Sequence, residues 1–312
     1  MILVIGDAII DVHYFCKVNR LSPEAPVPVC NLQNEVWEIG GAGNVAFQIA
    51  TKTKCVLFSL GTAKNRELVN ARARELKINR KLKTYVLNLE NHSFPVKTRV
   101  WAHNQQICRI DREEVFSPNK KQEQQIIKSI KDIIDRHSIK LIVFSDYNKG
   151  TLNDNIINHI AAFAKKKNII TILDPKRPTY YKLKSLSIVT PNDAEIAMTN
   201  LDARSISRSM RGTYVLHTRG KEGMVCLKNG KIIYSVGAHQ VEVADTCGAG
   251  DTVVSFLALT LDMVGYKLSD IILSGAIEAA NFAAAETVRH CGCYRLNYEE
   301  IDRVLGNVRR KK

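Results

Sequence analysis

Short runs of β-branched and apolar residues alternate along this chain with stretches of helical periodicity, and this alternation limits the possible folds more than any other feature. The strand-like runs lie at residues 3–6, 55–60, 141–144, 169–173, 187–189 and 214–217, and helical patterns lie at 44–51, 120–136 and 152–166. Neighbouring parallel strands need a crossover connection, which is usually a helix. The order therefore predicts an α/β fold with a mainly parallel central sheet and helices on both faces.

Two regions, residues 27–37 and 84–110, depart from this order because they contain strand-like segments with little helix between them. In the second region, Ala102, His103 and Asn104 suit a hairpin turn between two such segments. We expect a small separate β-sheet from residues 12–38 and 84–111, acting as a lid within a single domain of residues 1–312. A further hairpin is expected at residues 223–236, where Asn229–Gly230 is typical of a type I′ turn.

The composition is that of an ordinary globular protein. Of the 312 residues, 45% are hydrophobic and 24% are charged, which excludes disordered and collagen-like chains. The eight cysteines form no Cys-x-x-Cys pair, the closest being Cys291 and Cys293, so we expect buried, reduced thiols and no structural zinc. The most apolar stretch, residues 252–261, is too short to span a bilayer, and no secretory signal is visible. We expect a cytoplasmic protein without a membrane partner.

The net charge of +14, from 45 basic and 31 acidic residues, attracts anions of every kind. On charge alone, nucleic acid, an acidic membrane and phosphorylated small molecules all remain possible partners. The basic residues are scattered, and no stripe of aromatic and basic residues accompanies them. We therefore interpret most of this charge as solvated surface, interpret the basic tail at residues 309–312 as a frayed helix end, and expect no nucleic-acid partner.

The segment DTCGAGDT at residues 245–252 is the most informative about chemistry. Gly248 and Gly250 let the backbone approach a ligand closely, and the helix that follows offers free N–H groups and the positive end of a dipole. Such a helix start favours a bound phosphate. Asp251 would repel this phosphate unless it had a function, and the natural function is to accept a proton from a hydroxyl that attacks phosphorus. The alternative is an ordinary helix cap.

With other motifs in the same order, this segment resembles the ribokinase-like (PfkB) family of carbohydrate kinases over nearly the whole chain. The matching segments are GGAGN at 40–44, TPNDAE at 190–195, TRGKEG at 218–223 and ANFAAA at 280–285. The resemblance implies a ribokinase-like fold with ATP as phosphoryl donor and Mg²⁺ as cofactor. It also implies that Asp251 is the general base and that Gly248, Ala249 and Gly250 donate backbone hydrogen bonds to the transferred group.

The resemblance assigns the remaining roles to the nucleotide, the metal and the sugar. The residues expected at the nucleotide are Asn192, Glu195, Thr218, Gly220, Gly223 and Asn281. Of these, Glu195 is expected to hold Mg²⁺ directly or through water, with a loop–helix cap formed by Asn192 and Glu195 as the alternative. The expected sugar-binding residues are Asp11, Gly40, Gly41, Asn44, Arg99, Gln105, Arg109, Asp146, Lys149 and Lys176. Asp245 either helps to hold a monovalent cation or caps the next turn.

The sugar-binding candidates also have structural alternatives. Asp11 either binds sugar hydroxyls or caps a turn. Arg99 and Arg109 offer guanidinium groups to a sugar phosphate, or are solvated strand residues. Lys149 and Lys176 follow strand ends, where open α/β sheets bind ligands.

A narrower resemblance concerns D-glycero-β-D-manno-heptose-7-phosphate kinases, which phosphorylate the anomeric hydroxyl on the route to ADP-heptose and lipopolysaccharide. It rests on LSPEAPVPV at 21–29, GDAIID at 6–11, QQICRID at 105–111, SDYNKG at 145–150 and DPK at 174–176. In many bacteria this kinase is fused to a nucleotidyltransferase, so we expect a separate nucleotidyltransferase to act downstream. Exposed strand edges of the lid favour a homodimer.

The chain also departs from the family pattern. The departures lie at residues 61–66 and 76–84, at Cys247 and Ala285, and at residues 291–293. Two alternatives therefore stay open: a kinase of the same family for another sugar, sugar phosphate or nucleoside, and a kinase-fold binding protein without catalysis.

Overall fold

The computed structural model describes residues 1–89, 92–103, 105–290 and 292–310. Asn104 of the expected hairpin turn, Cys291 and the last two residues of the basic tail lie outside the described residues. The strands are β1 (Ile2–Gly6), β2 (Ala8–Leu21), β3 (Pro28–Gly41), β4 (Cys55–Leu60), β5 (Leu82–Leu87), β6 (Val96–Ala102), β7 (Gln105–Arg112), β8 (Leu141–Ser145), β9 (Ile170–Asp174), β10 (Ile188–Val189), β11 (Tyr214–Thr218), β12 (Met224–Lys228) and β13 (Lys231–Val236).

Helices alternate with strands in much of the chain, as expected, but the last three helices follow β13 with no strand in the described residues between them. The helices are α1 (Ala42–Lys52), α2 (Ala63–Glu75), α3 (Lys120–Arg136), α4 (Asp154–Lys166), α5 (Asp193–Ala197), α6 (Ala203–Ser209), α7 (Ala249–Met263), α8 (Asp270–Thr287) and α9 (Tyr298–Arg310). Within the described ranges, no helix is both long and apolar enough to cross a membrane.

The larger sheet has the strand order β13-β12-β11-β10-β9-β8-β1-β4-β5. Its neighbours from β11 to β5 run parallel, and β12 and β13 form an antiparallel edge. The predicted mainly parallel sheet is thus confirmed. The predicted hairpin is also confirmed, because Asn229 and Gly230 join β12 to β13 with φ angles of 52° and 79°, as a type I′ turn requires.

Two apolar layers cover the faces of this sheet. Alternate residues of a strand point to opposite faces. Ile2 and Val4 accordingly pack in the layer that contains residues of α1, α2, α7, α8 and α9, whereas Leu3 and Ile5 pack in the layer that contains residues of α3, α4 and α6. Among the described residues, helices therefore cover both faces and leave the edges and ends of the sheet for ligands.

The smaller sheet has the order β3-β2-β6-β7, with β2 parallel to β6 and the other pairs antiparallel. It forms from residues 8–41 and 96–112, so the expected separate lid sheet is present. Residues 84–87, which we expected in the lid, instead pair with β4 at the edge of the larger sheet. Helix α2 brings this segment back to the sheet as a parallel strand.

The lid joins the core without linkers. Strand β1 ends at Gly6 and β2 begins at Ala8, while β3 ends at Gly41 and α1 begins at Ala42. Gly41 has a φ of 58°, and a Cβ atom there would lie 2.4 Å from the carbonyl oxygen of Asp7. Only glycine fits at this crossing of two backbones. The lid therefore stands directly over the carboxyl end of β1.

Candidate active site

Polar side chains at the carboxyl ends of the neighbouring strands β8, β9, β10 and β11 surround a cavity of about 170 Å³. We call it the strand-end cavity. It is lined by Asp146, Tyr147, Asp174, Lys176, Thr190, Asn192, Glu195, Thr218, Gly248, Gly250, Asp251 and Val253. Open α/β sheets bind ligands at this end of the strands.

Asp251 is the third residue of α7 and is only 4% exposed. Its Oδ2 accepts a hydrogen bond from Asn44 Nδ2 at 2.9 Å, and its Oδ1 accepts one from the Tyr147 hydroxyl at 2.7 Å. Burial raises the pKa of Asp251 to about 6, although these two hydrogen bonds favour the ionised form. At neutral pH the carboxylate is thus ionised and has a proton affinity suited to a general base.

Gly248 and Gly250, which precede Asp251, have different structural requirements for glycine. Gly248 has a φ of 76°, and a Cβ there would lie 3.3 Å from Asn44 Nδ2. Gly250 has an ordinary helical φ, and a Cβ there would meet no atom within 4 Å. Because Gly250 lines the strand-end cavity, its missing side chain leaves the backbone open to whatever occupies that space.

Asn44 reaches Asp251 because two helix starts meet. It is the third residue of α1, as Asp251 is of α7, and these helices pack against each other. The Oδ1 atom of Asn44 is buried and has no hydrogen-bond partner among the described residues. A buried acceptor without a partner is costly, and a hydroxyl group bound next to Asp251 would satisfy it.

Asp11 lies on the lid, and its charge acts on the nearby Asp251 carboxylate. Arg99, on the neighbouring strand β6, donates to its Oδ1 at 2.6 Å, and Cys293 Sγ lies 4.0 Å from its Oδ2. A Cβ at Gly40 would come within 1.9 Å of Asp11 Oδ2. The glycine at position 40 therefore makes room for this carboxylate.

A larger cavity, of about 760 Å³, lies between the lid and the core, and we call it the lid cavity. His13, Phe15 and Trp101 line it from the lid, and Cys293, near Asp11, lines it from the core. Trp101 Nε1 donates to His13 Nδ1 at 3.1 Å, which fixes the two rings beside each other. The space under the lid therefore borders Cys293, whose Sγ lies 4.0 Å from Asp11 Oδ2.

The loop after β8 is fixed by one buried carboxylate. Asp7 accepts backbone N–H groups of Tyr147 at 3.1 Å, Lys149 at 2.9 Å and Thr151 at 2.9 Å. Three such bonds define the course of the loop and so place the Tyr147 side chain against Asp251.

Asn192 and Glu195 form a capping box at the start of α5. Glu195 Oε2 accepts from the Asn192 N–H at 2.9 Å, and Oε1 accepts from Lys176 Nζ at 2.8 Å. The expected cap is therefore present. The same residues also face the strand-end cavity, so the cap does not remove them from a ligand.

The charges here fit a divalent cation. Burial, and next the Glu195 carboxylate, raise the pKa of Asp174 well above its usual value, and the nearby Lys176 ammonium group only partly opposes this. Among the described residues, no three His, Cys, Asp or Glu side chains are grouped as metal ligands. Magnesium would thus keep much of its water and phosphate coordination, as it commonly does.

Of the residues expected at the nucleotide, Thr218 lines the strand-end cavity and forms a β-bridge with Asn192. Gly220 and Gly223 border the following turn with φ angles of 49° and 88°. Asn281 is buried and donates from Nδ2 to the carbonyl oxygen of Gly237 at 2.9 Å. It therefore ties α8 to the segment after β13.

Of the ten expected sugar-binding residues, Asp146 and Lys176 line the strand-end cavity, and none of the ten lines the lid cavity. Lys149 Nζ contacts Glu113 at 2.6 Å, and Arg109 Nε contacts Asp111 at 2.9 Å on the exposed strand β7, which also carries Gln105. Asp146 does line the strand-end cavity, and burial raises its pKa to about 7 in spite of the nearby Arg177 guanidinium.

The expectation of buried, reduced thiols is wrong for several cysteines. Cys247 and Cys293, 46 positions apart in the sequence, form a disulfide because the loop before α7 and the loop after α8 meet with a Cα–Cα distance of 5.0 Å. Cys30 and Cys108 are exposed. Asp245 accepts the N–H groups of Cys247 at 3.0 Å and Gly292 at 2.9 Å, so its carboxylate caps the turn as the alternative reading expected.

The sequence pattern of pfkB family carbohydrate kinases matches residues 1–300. The chain belongs to this family. This pfkB family kinase is similar to the Bifunctional protein HldE of Helicobacter pylori strain G27. The two sequences are 33% identical over 99% of this chain and 67% of that protein. The kinase is also 32% identical to the Bifunctional protein HldE of Desulfatibacillum aliphaticivorans, over 96% of this chain and 62% of that protein. The chain thus spans about two thirds of the length of these relatives.

Solved structures agree on the fold of this pfkB family kinase. The phosphofructokinase-2 of Escherichia coli in complex with potassium has a TM-score of 0.75 at 16% identity, covering 99% of both chains. The ribokinase of Giardia lamblia has a TM-score of 0.70 at 14% identity, covering 98% of this chain and 99% of that one. The expected ribokinase-like fold is confirmed.

The sequence analysis did not assign Tyr147, Asp174 or Asp7 to the site of this kinase. Each lies in a segment that carried the family resemblance and within two residues of the end of a parallel strand. These residues could have been found by examining the polar residues at the carboxyl ends of the predicted strands, because open α/β sheets bind ligands there.

Proposed function

We propose that this kinase transfers the γ-phosphoryl group of ATP to the anomeric hydroxyl of D-glycero-β-D-manno-heptose 7-phosphate, giving the 1,7-bisphosphate, with Asp251 as the general base. One observation carries the proposal. The Asp251 carboxylate is buried at the start of α7, where it lines the strand-end cavity and contacts Asn44 on the lid side. A base in that position lies between a phosphate bound at the sheet and a sugar bound under the lid.

The acceptor hydroxyl would bind beside the hydrogen-bonded pair of Asn44 and Asp251. Its proton passes to the Asp251 carboxylate as its oxygen attacks the γ-phosphorus, and the bond from this phosphorus to the bridging oxygen of ADP breaks. The unpaired Asn44 Oδ1 accepts from a neighbouring sugar hydroxyl. Asp11, held by Arg99, offers a further acceptor on the lid. A base placed in this way contributes about 10²–10⁴ in rate.

The start of α7 would stabilise the transferred group. The N–H groups of Gly248 and Gly250 would donate to this group and supply the positive end of the helix dipole, whereas the Ala249 N–H already donates to the Thr246 carbonyl oxygen at 3.3 Å. Lys176 adds a positive charge at the same cavity. Glu195 and Asn192 would hold magnesium through water, and the ion would neutralise charge on the ATP phosphates.

Two features support heptose 7-phosphate as the acceptor. Residues 21–29 carry the segment that resembles heptose-7-phosphate kinases, and the relatives at 32–33% identity are named Bifunctional protein HldE. About a third of the length of those bifunctional relatives lies outside the match, which fits a nucleotidyltransferase acting downstream on the product.

The test is ADP release by the purified chain with Mg-ATP and a panel of sugars, sugar phosphates and nucleosides. We expect turnover with heptose 7-phosphate and a loss of about 10²–10⁴ in kcat for Asp251→Asn. Asp262→Asn makes the same chemical change further along α7, where its carboxylate accepts from Tyr266, and should keep full activity. Turnover with another acceptor alone would replace the sugar assignment, and an active Asp251→Asn variant would remove Asp251 from its role.

A homodimer through the lid belongs to the same proposal. Strand β2 loses its partner β6 after Cys16, so residues 17–31 continue as a two-stranded ribbon; exposed Leu21 and Val27 lie in it, and exposed Leu32 lies at its base opposite Cys16. A two-stranded ribbon is marginally stable alone in water, so packing against the lid of a second copy would stabilise it. Light scattering should give twice the chain mass, and Leu32→Lys should lower it. A monomeric wild-type protein would contradict this part.

Potassium would be the monovalent cation, because the similar phosphofructokinase-2 of Escherichia coli has a structure in complex with potassium. Both carboxylate oxygens of Asp245 already accept backbone N–H groups, so Asp245 would act by shaping the loop. Turnover should be higher in potassium chloride than in tetramethylammonium chloride at equal ionic strength. Equal rates would remove the cation from the proposal.

A further inference from the structure

The hydroxyl group of Tyr147 is directed at the reacting carboxylate, although the proposed chemistry leaves this tyrosine unused. It donates to Asp251 Oδ1 at 2.7 Å, while Asn44 donates to Oδ2 at 2.9 Å. The two donors come from different parts of the fold, the loop after β8 and the start of α1. Together they fix the rotation of the carboxylate about its last bond.

The position of Tyr147 is itself fixed. The Asp7 carboxylate accepts its backbone N–H and those of Lys149 and Thr151, so the loop cannot turn the ring away without breaking these bonds. Burial, and next the Asp251 carboxylate, raise the pKa of Tyr147 well above its usual value. The phenol therefore keeps its proton and acts only as a donor.

We propose that Tyr147 is a positioning residue for the general base: its O–H holds Asp251 Oδ1 on the side of the strand-end cavity and leaves Oδ2, beside Asn44, to take the proton of the acceptor hydroxyl. This inference rests on the role of Asp251 in the proposed function. It assigns the two carboxylate oxygens different tasks. The same hydrogen bond stabilises the ionised carboxylate and so keeps the base ready at neutral pH.

The test compares Tyr147→Phe with Tyr214→Phe. Both variants lose one phenol that donates to a carboxylate at 2.7 Å, but the partner of Tyr214 is Asp270, outside both cavities. The other charged groups that face Asp251 are Asp11 on the lid and Lys176 and Asp174 at the end of β9. None of them is changed in either variant, so a difference reports the Tyr147 hydroxyl.

The first readout needs no substrate. The pKa of Asp251 is measured by NMR on protein labelled with carbon-13 at the aspartate carboxyls, with the Asp251→Asn spectrum to assign the signal. We expect Tyr147→Phe to raise this pKa by about one unit or more, the effect of losing a hydrogen bond to a charged group. Tyr214→Phe should leave it unchanged. An Asp251 pKa that is the same in Tyr147→Phe and wild type overturns the inference.

The second readout is the pH dependence of kcat. Tyr147→Phe should lower kcat about 10–100-fold at neutral pH and move the acidic limb upward with the NMR value. A purely structural role would lower kcat equally at every pH and lower the melting temperature, which circular dichroism checks. Absence of wild-type turnover with every acceptor would count against the proposed function, whereas the NMR shift decides on Tyr147 separately.

Discussion

Replacing Gly250 by alanine tests whether a phosphate approaches the start of α7. Gly250 has no positive φ, and an added Cβ would meet no protein atom within 4 Å, so the fold itself does not require glycine there. Alanine is better than glycine within a helix by roughly 0.5–1 kcal/mol. Gly250→Ala should therefore melt at the same temperature as wild type or slightly above it.

In contrast to its stability, the kinase activity of Gly250→Ala should fall. The new methyl group would project into the 170 Å³ strand-end cavity, where the transferred phosphoryl group is expected. A displacement of about 1 Å at the reacting centre costs on the order of 10²-fold in rate. We expect kcat/KM to fall by about that factor while the melting temperature does not.

The matched control is Gly306→Ala. Gly306 also lies in a helix, α9, and a Cβ there would also meet nothing within 4 Å. It lies outside both cavities, so this variant should gain stability and keep full activity. Wild-type kcat/KM in Gly250→Ala would show that the phosphate does not approach this helix start. A loss of stability would show that the conformational reasoning is wrong.

Three further predictions concern the same site. Since burial raises the pKa of Asp251 to about 6 and the base must be ionised, kcat/KM should fall tenfold per pH unit below about pH 6; a flat profile would contradict this. Gly40→Ala places a Cβ 1.9 Å from Asp11 Oδ2, so the KM for the sugar should rise about tenfold or more while the KM for ATP stays unchanged. Unchanged sugar KM would separate Asp11 from the sugar. Because the Cys247–Cys293 disulfide closes a chain segment of 46 residues, Cys293→Ser should lower the free energy of unfolding by up to about 4 kcal/mol without reductant. In dithiothreitol, the wild-type protein should have the same free energy of unfolding as this variant. If the two still differ in dithiothreitol, the loss comes from packing and not from the disulfide.

Most of the larger sheet could be predicted from the sequence, because a strand buried on both faces is a continuous apolar run. Residues 55–60 and 141–144 are of this kind, and the isoleucines of α3 recur at helical spacing. Residues 84–87 were misplaced because α2 has few apolar residues. The sequence signal for the start of α2 was the N-cap residue Thr62, whose side chain accepts the Asn65 N–H. This residue lies in a stretch that departs from the family pattern.

The site was partly predictable for a different reason. Asp251, Asn44 and Glu195 belong to motifs with a defined spacing, and all three face the site. Contacts between distant segments leave no local pattern, so the approach of Tyr147 to Asp251 across 104 residues could not be read from spacing. For the same reason, Arg109 and Lys149 looked suited to a sugar phosphate, but their nearest carboxylates, Asp111 and Glu113, lie outside both cavities.

The direct junction of β3 and α1 has a mechanical consequence. No spacer separates Gly41 at the end of the strand from the first turn of the helix that carries Asn44. A hinge motion of the small sheet would therefore tilt that turn and pull the Asn44 amide away from Asp251. Under the proposed function, opening the lid would therefore both expose the sugar and remove a hydrogen bond from the general base, so the open enzyme would hydrolyse ATP slowly.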